Sequence, residues 1–167
     1  MKTVAMLVEQ DYQDLEVWYP VLRLREAGHK VLLVGTGTAE TYKGKFGYPA
    51  KVDTTADKLT AKDLDGIVVP GGWAPDFLRR HKSVTDLVRD CHVQGKVVGA
   101  ICHAGWVLVS AGILKGRTIT CFSAIKDDVE AAGAAWVDRE VQVDGRLVTA
   151  RKPDDLPAFC REILKLL

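Results

Sequence analysis

Short unbroken apolar runs alternate along the chain with longer segments whose apolar residues recur every three or four positions. Residues 4–8, 30–34, 66–69 and 97–101 are the unbroken runs. Runs of that kind mark strands buried on both faces, as in a parallel sheet. The segments between them follow a helical period. Residues 14–27 predict a helix ended by Gly28, with Leu15, Trp18, Leu22 and Arg25 on its core side and Val21 beside them. Pro20 falls in its middle, so this helix either kinks or begins late. Residues 84–94 predict a second helix with Val84, Leu87, Val88 and Cys91 inward, closed by Gly95. Residues 103–111 predict a helix of low polarity that stops at Gly112, and 126–132 a short one. Residues 153–167 close the chain as a helix with Leu156, Phe159, Cys160, Ile163, Leu164 and Leu167 turned inward. Shorter strand signals lie at 119–122, 136–137 and 141–150, the last divided by the hairpin dipeptide Asp144-Gly145. Residues 43–48 read as a small hairpin or loop excursion.

This alternation predicts an α/β fold: a three-layer sandwich around a mainly parallel, doubly wound sheet. With 167 residues, 47% of them hydrophobic, the chain has material for one core and one domain. Few aromatics and 15 glycines suit close packing of helix on sheet. A net charge of +1, with the charges interspersed, offers no field for nucleic acid or an anionic membrane. No apolar run approaches the roughly 20 residues that span a bilayer, and the first run is too short for a secretory leader. The expected location is therefore the cytoplasm. The four cysteines, Cys91, Cys102, Cys121 and Cys160, have no metal-site spacing, and in a reducing compartment they are expected as thiols. Gly35-Thr36-Gly37 lacks a third glycine in register and follows the wrong strand, so no nucleotide fingerprint is present. Neither a metal nor a cofactor is expected.

Ligands of doubly wound folds sit at the carboxyl ends of the strands. Two loops at that rim carry unusual residues. After residues 97–101 the chain reads Ala100-Ile101-Cys102-His103-Ala104, a nucleophile between small residues two before and two after it. That is the pattern of a strand-to-helix nucleophile elbow, whose turn is sharp enough to strain the backbone of the nucleophile. The following helix aims its N–H groups at the sulfur, which predicts a lowered thiol pKa and an oxyanion site. After residues 66–69 comes Pro70-Gly71-Gly72, where glycine lets backbone N–H groups approach a ligand oxygen. Gly71 and Gly72, together with the N–H of His103, are the candidate oxyanion donors.

The four histidines are His29, His81, His92 and His103, and none follows position 103. Papain-like and glutamine-amidotransferase layouts both need a later one. Only His103 is sure to lie near Cys102, and Asp76, four residues past Gly72, is the candidate carboxylate to orient it. Glu16 also falls near the rim. Beside a thiolate it must carry a proton, and it could then donate to the sulfur.

Longer motifs run in order along nearly the whole chain: Asp14-Leu15-Glu16 before Tyr19-Pro20, Leu24-Arg25-Glu26-Ala27-Gly28-His29, Gly44-Lys45 with Gly47-Tyr48, Val69-Pro70-Gly71-Gly72-Trp73-Ala74-Pro75-Asp76, Ala100-Ile101-Cys102-His103, Ser110-Ala111-Gly112 and Ile125-Lys126-Asp127-Asp128. In these the sequence resembles the PfpI family of intracellular cysteine peptidases, within the wider ThiJ/PfpI (DJ/PfpI) superfamily. The resemblance implies one DJ/PfpI-like domain over residues 1–167, of the class I glutamine-amidotransferase-like type, with a flavodoxin-like sandwich. It implies Cys102 as nucleophile, His103 as catalytic histidine and Glu16 as the acid against the sulfur. It also implies dimers, or rings built from dimers, in which a neighbouring subunit supplies the third member of the triad. Asp76 stands where the family usually has Glu, Phe122 where the peptidases are expected to have Tyr, and Ala104-Gly105-Trp106 where Gly-Pro is frequent.

The expected function is that of a cysteine-nucleophile enzyme acting on carbonyl compounds: peptides, glycated adducts or 2-oxoaldehydes. Peptidase, deglycase and glyoxalase III-type activities all belong to such proteins. The alternative is a stress sensor or chaperone without turnover, in which Cys102 oxidises.

Overall fold

The computed structural model describes residues 1–167. The apolar runs form β1 (Thr3–Leu7), β2 (Lys30–Gly35), β6 (Gly66–Val69) and β7 (Val97–Ile101). Two-residue β5 (Thr54–Thr55) and the hairpin β10 (Val141–Asp144) and β11 (Leu147–Ala150) complete a seven-stranded sheet in the order β10-β11-β7-β6-β1-β2-β5. Every pairing in it is parallel except β10 with β11. Gly145 makes the expected hairpin turn with φ +61°. β6 and β7 are buried along their whole length, as unbroken apolar runs require.

Helices cover both faces. On one lie α1 (Asp14–Glu26) and the closing α6 (Leu156–Leu166), which pack on each other. On the other lie α2 (Ala74–Leu78), α3 (Lys82–Val93), α4 (Gly105–Ala111) and α5 (Lys126–Ala131). α3 buries Val84, Leu87, Val88 and Cys91 as its period predicts. α6 buries Leu156, Phe159, Cys160 and Ile163, while Leu164 and Leu167 are only partly covered. The five-residue α2 was not foreseen, since it adds too little period to read.

Two expectations are corrected and a third is met. The runs at 119–122 and 136–137 shrink to β8 (Thr118–Ile119) and β9 (Ala135–Trp136), which pair with each other outside the main sheet. The small hairpin or loop excursion expected at 43–48 is a hairpin, its tip closing β3 (Thr41–Lys43) on β4 (Pro49–Lys51). α1 presents a different face to the core from the one expected. Leu15 and Leu22 are 57% and 60% exposed, whereas Glu16, Val17, Pro20, Val21 and Leu24 are buried. The helix starts at Asp14 and runs through Pro20, which has no N–H to give the carbonyl of Glu16. A buried carboxyl and a proline share the inward face, so the apolar period points the wrong way.

Candidate active site

β7 ends at Ile101, and a single 3-10 turn, Cys102–Ala104, carries the chain into α4. Cys102 has φ +62°, one of two non-glycine residues with positive φ. That is the strained backbone expected of a nucleophile elbow. Ala100 and Ala104, the small residues on either side, are buried and leave room for strand and turn to close together. The N–H of Phe122 holds the turn from outside by donating to the Cys102 carbonyl at 3.2 Å.

Sequence neighbours meet around the sulfur. Cys102 Sγ lies 3.2 Å from His103 Nδ1. The imidazole is stacked on Phe122, with centroids 4.8 Å apart and planes at 26°, and meets Trp106 edge-on at 5.2 Å. Trp106 is fixed in turn, its Nε1 donating to Asp128 at 2.8 Å. Burial, and then the Lys45 charge, pull the His103 pKa below its ordinary value, so the ring is neutral at neutral pH.

Glu16 reaches the same point from α1. It is fully buried, and its Oε2 accepts the Gly71 N–H at 2.7 Å. Its Oε1 is buried without a hydrogen-bond partner. Burial raises this carboxyl to about 7, against the pull of the Gly71 N–H. The Cys102 thiol is pushed up to about 12 by burial and by a charged Glu16, while the N–H groups of Gly72 and His103 pull it down. The expected acidic thiol is therefore corrected: α4 begins only at Gly105, and burial outweighs the donors. Two negative charges this close and this buried do not coexist, so Glu16 and Cys102 hold two protons below about pH 7 and keep one between them above it. When Glu16 carries it, the sulfur is a thiolate facing an acid and two backbone N–H groups.

Both glycines of the neighbouring loop are required. A Cβ on Gly71 would stand 2.5 Å from Glu16 Oε2 and 2.6 Å from Cys102 Cβ. Gly72 has φ +74°, and a Cβ there would strike the backbone of residues 11–13. The Gly71 N–H is taken by Glu16, which removes Gly71 from the candidate oxyanion donors and leaves Gly72 and His103.

The sulfur faces a cavity of about 210 Å³ lined also by Gln13, Lys45, Trp73, Phe122, Lys152 and Pro153. Lys45 and Lys152 come from distant loops and were not among the candidate site residues, although Lys45 falls in the Gly44-Lys45 motif. Asp76 lies elsewhere, on α2, half-buried and paired with Arg80 of its own helix. Within one chain no carboxylate touches His103. No three His, Cys, Asp or Glu side chains group as metal ligands, and no helix is long and apolar enough to cross a membrane.

The model of the DJ-1/PfpI family matches residues 2–166. The chain belongs to that family. It is 42% identical over 164 residues to a relative named deglycase PfpI, from Pyrococcus furiosus, covering 98% of each chain. It is 41% identical over 168 residues to protein/nucleic acid deglycase 2 of Escherichia coli, covering 99% of this chain and 98% of that one. Among solved structures, a two-domain protein from Anabaena variabilis with DJ-1/ThiJ/PfpI-like and ferritin-like domains superposes with a TM-score of 0.97 at 40% identity. The match covers 99% of this chain and 48% of that one. The mostly parallel sheet with helices on both faces is the flavodoxin-like architecture of the DJ-1/PfpI family.

Proposed function

We propose that this DJ-1/PfpI protein is a cysteine-dependent enzyme that hydrolyses early glycation adducts. The observation that carries the reading is Cys102 at φ +62°, its sulfur 3.2 Å from a neutral imidazole and open to a cavity. In the adduct of a 2-oxoaldehyde with an amine, the Cys102 sulfur forms a bond to the carbon that holds the nitrogen. The carbon–nitrogen bond breaks, and the amine leaves with a proton from His103. A proton then moves from that carbon to its neighbour through an enediol, which converts the thiohemiacetal to a thioester. Water cleaves the thioester, giving a 2-hydroxy acid and the free thiol. The Gly72 and His103 N–H groups are the donors for the oxyanion of each tetrahedral state. A free 2-oxoaldehyde enters the same sequence after the first step, which makes cofactor-free glyoxalase activity part of this proposal. Peptide hydrolysis would use the same sulfur and imidazole.

The reading includes a homo-oligomer in which Asp76 of a neighbouring copy orients His103, because one chain leaves that ring without a carboxylate. It also includes the cytoplasm, where four free buried thiols stay reduced. The test is cofactor-free consumption of methylglyoxal and of its adduct with an amino acid. Wild-type protein is expected to form lactate from both, and Cys102→Ala to lose more than about a thousandfold in rate. Equal rates in the two proteins would overturn the reading. Selective oxidation of Cys102 by peroxide, with no carbonyl compound consumed, would replace it with the sensor.

A further inference from the structure

We propose that the Cys102 cavity selects anionic carbonyl compounds, in which a carboxylate or phosphate sits near the reactive carbonyl, and that Lys45 and Lys152 hold the anion. This rests on the cysteine-enzyme reading and names its substrate class.

The charged side chains lining the cavity are Glu16, Lys45 and Lys152. Glu16 is fully buried and its pair with Cys102 always holds at least one proton, so that pair supplies at most one negative charge against two positive ones. The mouth is left with an excess of at least one positive charge. Neither lysine loses its charge to a strong partner. Lys45 has no carboxylate within ion-pair distance and rests its ammonium over the Phe46 ring at 5.2 Å. Lys152 meets only Asp154, at 3.3 Å, and that aspartate is 80% exposed, which makes the pair weak.

Both lysines rise from backbone that the fold fixes. The Lys45 N–H donates to the Tyr12 carbonyl at 2.9 Å, and Tyr12 bridges at once to Gly44 and to Gly72. The hairpin tip that carries Lys45 is thereby tied to the loop that carries the oxyanion donor. Lys152 lies between Arg151 and Pro153, both of which are anchored. The Arg151 side chain is held by Asp155 at 2.9 Å and Asp138 at 2.7 Å, and Pro153 opens the turn into α6. Arg151 is thus neutralised, whereas the lysine beside it faces the sulfur's cavity. Phe122 and Lys152 also line an adjoining hollow of about 280 Å³ with Ser123 and Trp136. A substrate longer than its reactive carbonyl has room there, past the anion.

The test compares alkylation of Cys102 by iodoacetate and by iodoacetamide, read by mass at that residue. In both reactions the sulfur displaces iodide and forms a carbon–sulfur bond. The reagents differ in a carboxylate against a neutral amide. Their rate ratio cancels the amount of thiolate, which Lys45 alters through its charge. The ratio is expected to be higher in the folded protein than in its unfolded chain. It is expected to fall about two- to fivefold in each of Lys45→Met and Lys152→Met, and to fall with added salt. Lys115→Met, outside the cavity, is expected to keep the wild-type ratio. A ratio equal to that of the unfolded chain, or unmoved by both cavity substitutions, would overturn the anion site. A protein that shows the ratio but turns over no carbonyl compound overturns the enzyme reading alone. One that turns over neutral aldehydes with a flat ratio overturns the anion site alone.

Discussion

Two thiols bracket strand β7. Cys91 stands on α3, which leads into the strand, and Cys102 follows its last residue. Both are buried, and burial pushes each up to about 12. Their surroundings differ in kind. Cys91 lies on an apolar helix face with Val84, Leu87 and Val88, and its sulfur makes no hydrogen bond. Cys102 has an imidazole at 3.2 Å, a carboxyl that shares its proton, two backbone N–H groups and a cavity. Burial therefore does not mark the reactive sulfur. What marks it is the set of polar groups that can receive its proton and the charge it hands on.

The contrast can be broken by removing those groups. The largest effect is expected from His103→Ala, which removes the group that hands a proton to the leaving amine. Turnover should drop by about a hundredfold or more, with the fold intact by circular dichroism. A drop below about threefold would detach the imidazole from the chemistry. Glu16→Gln comes next and is read in stability. An unfolded Glu16 gives up its proton near 4.5 and the folded one near 7. Between those values the folded chain binds more protons, so its stability falls as pH rises from about 4.5 to about 7. The loss from this one group is about 3 kcal/mol, and Glu16→Gln should lack it in urea unfolding at a series of pH values. Parallel curves for the two proteins would show that Glu16 is not buried as a titrating acid. The smallest effect is expected from Cys91→Ala. It should leave the turnover rate unchanged and cost stability through the cavity it opens. A matching loss of turnover would erase the distinction between the two sulfurs.

The sequence carried the sheet well. Unbroken apolar runs are read without knowing their neighbours, and the four central strands fall where those runs lie. The elbow was legible because its parts are adjacent: Ala100, Cys102, His103 and Ala104 are brought together by one turn. Failure came where function overrode pattern. α1 puts Glu16 and Pro20 inward and leaves Leu15 and Leu22 outside, so apolar periodicity selected the wrong face. The pull on the sulfur was misjudged for a related reason. A helix N-terminus is visible in sequence, whereas the burial that opposes it appears only once the sheet and α1 close over the site. Lys45 and Lys152 stand more than a hundred positions apart in the chain. They become one feature only because β3–β4 and the end of β11 open onto the same rim.

The most direct measurement is competition among the four thiols. Folded protein treated with less than one equivalent of iodoacetamide at neutral pH, then digested and mapped by mass, reports which sulfur reacts first. Label on Cys102 ahead of Cys91, Cys121 and Cys160, and lost in His103→Ala, is the predicted result. Label spread evenly over the four, or absent from Cys102, would contradict the account.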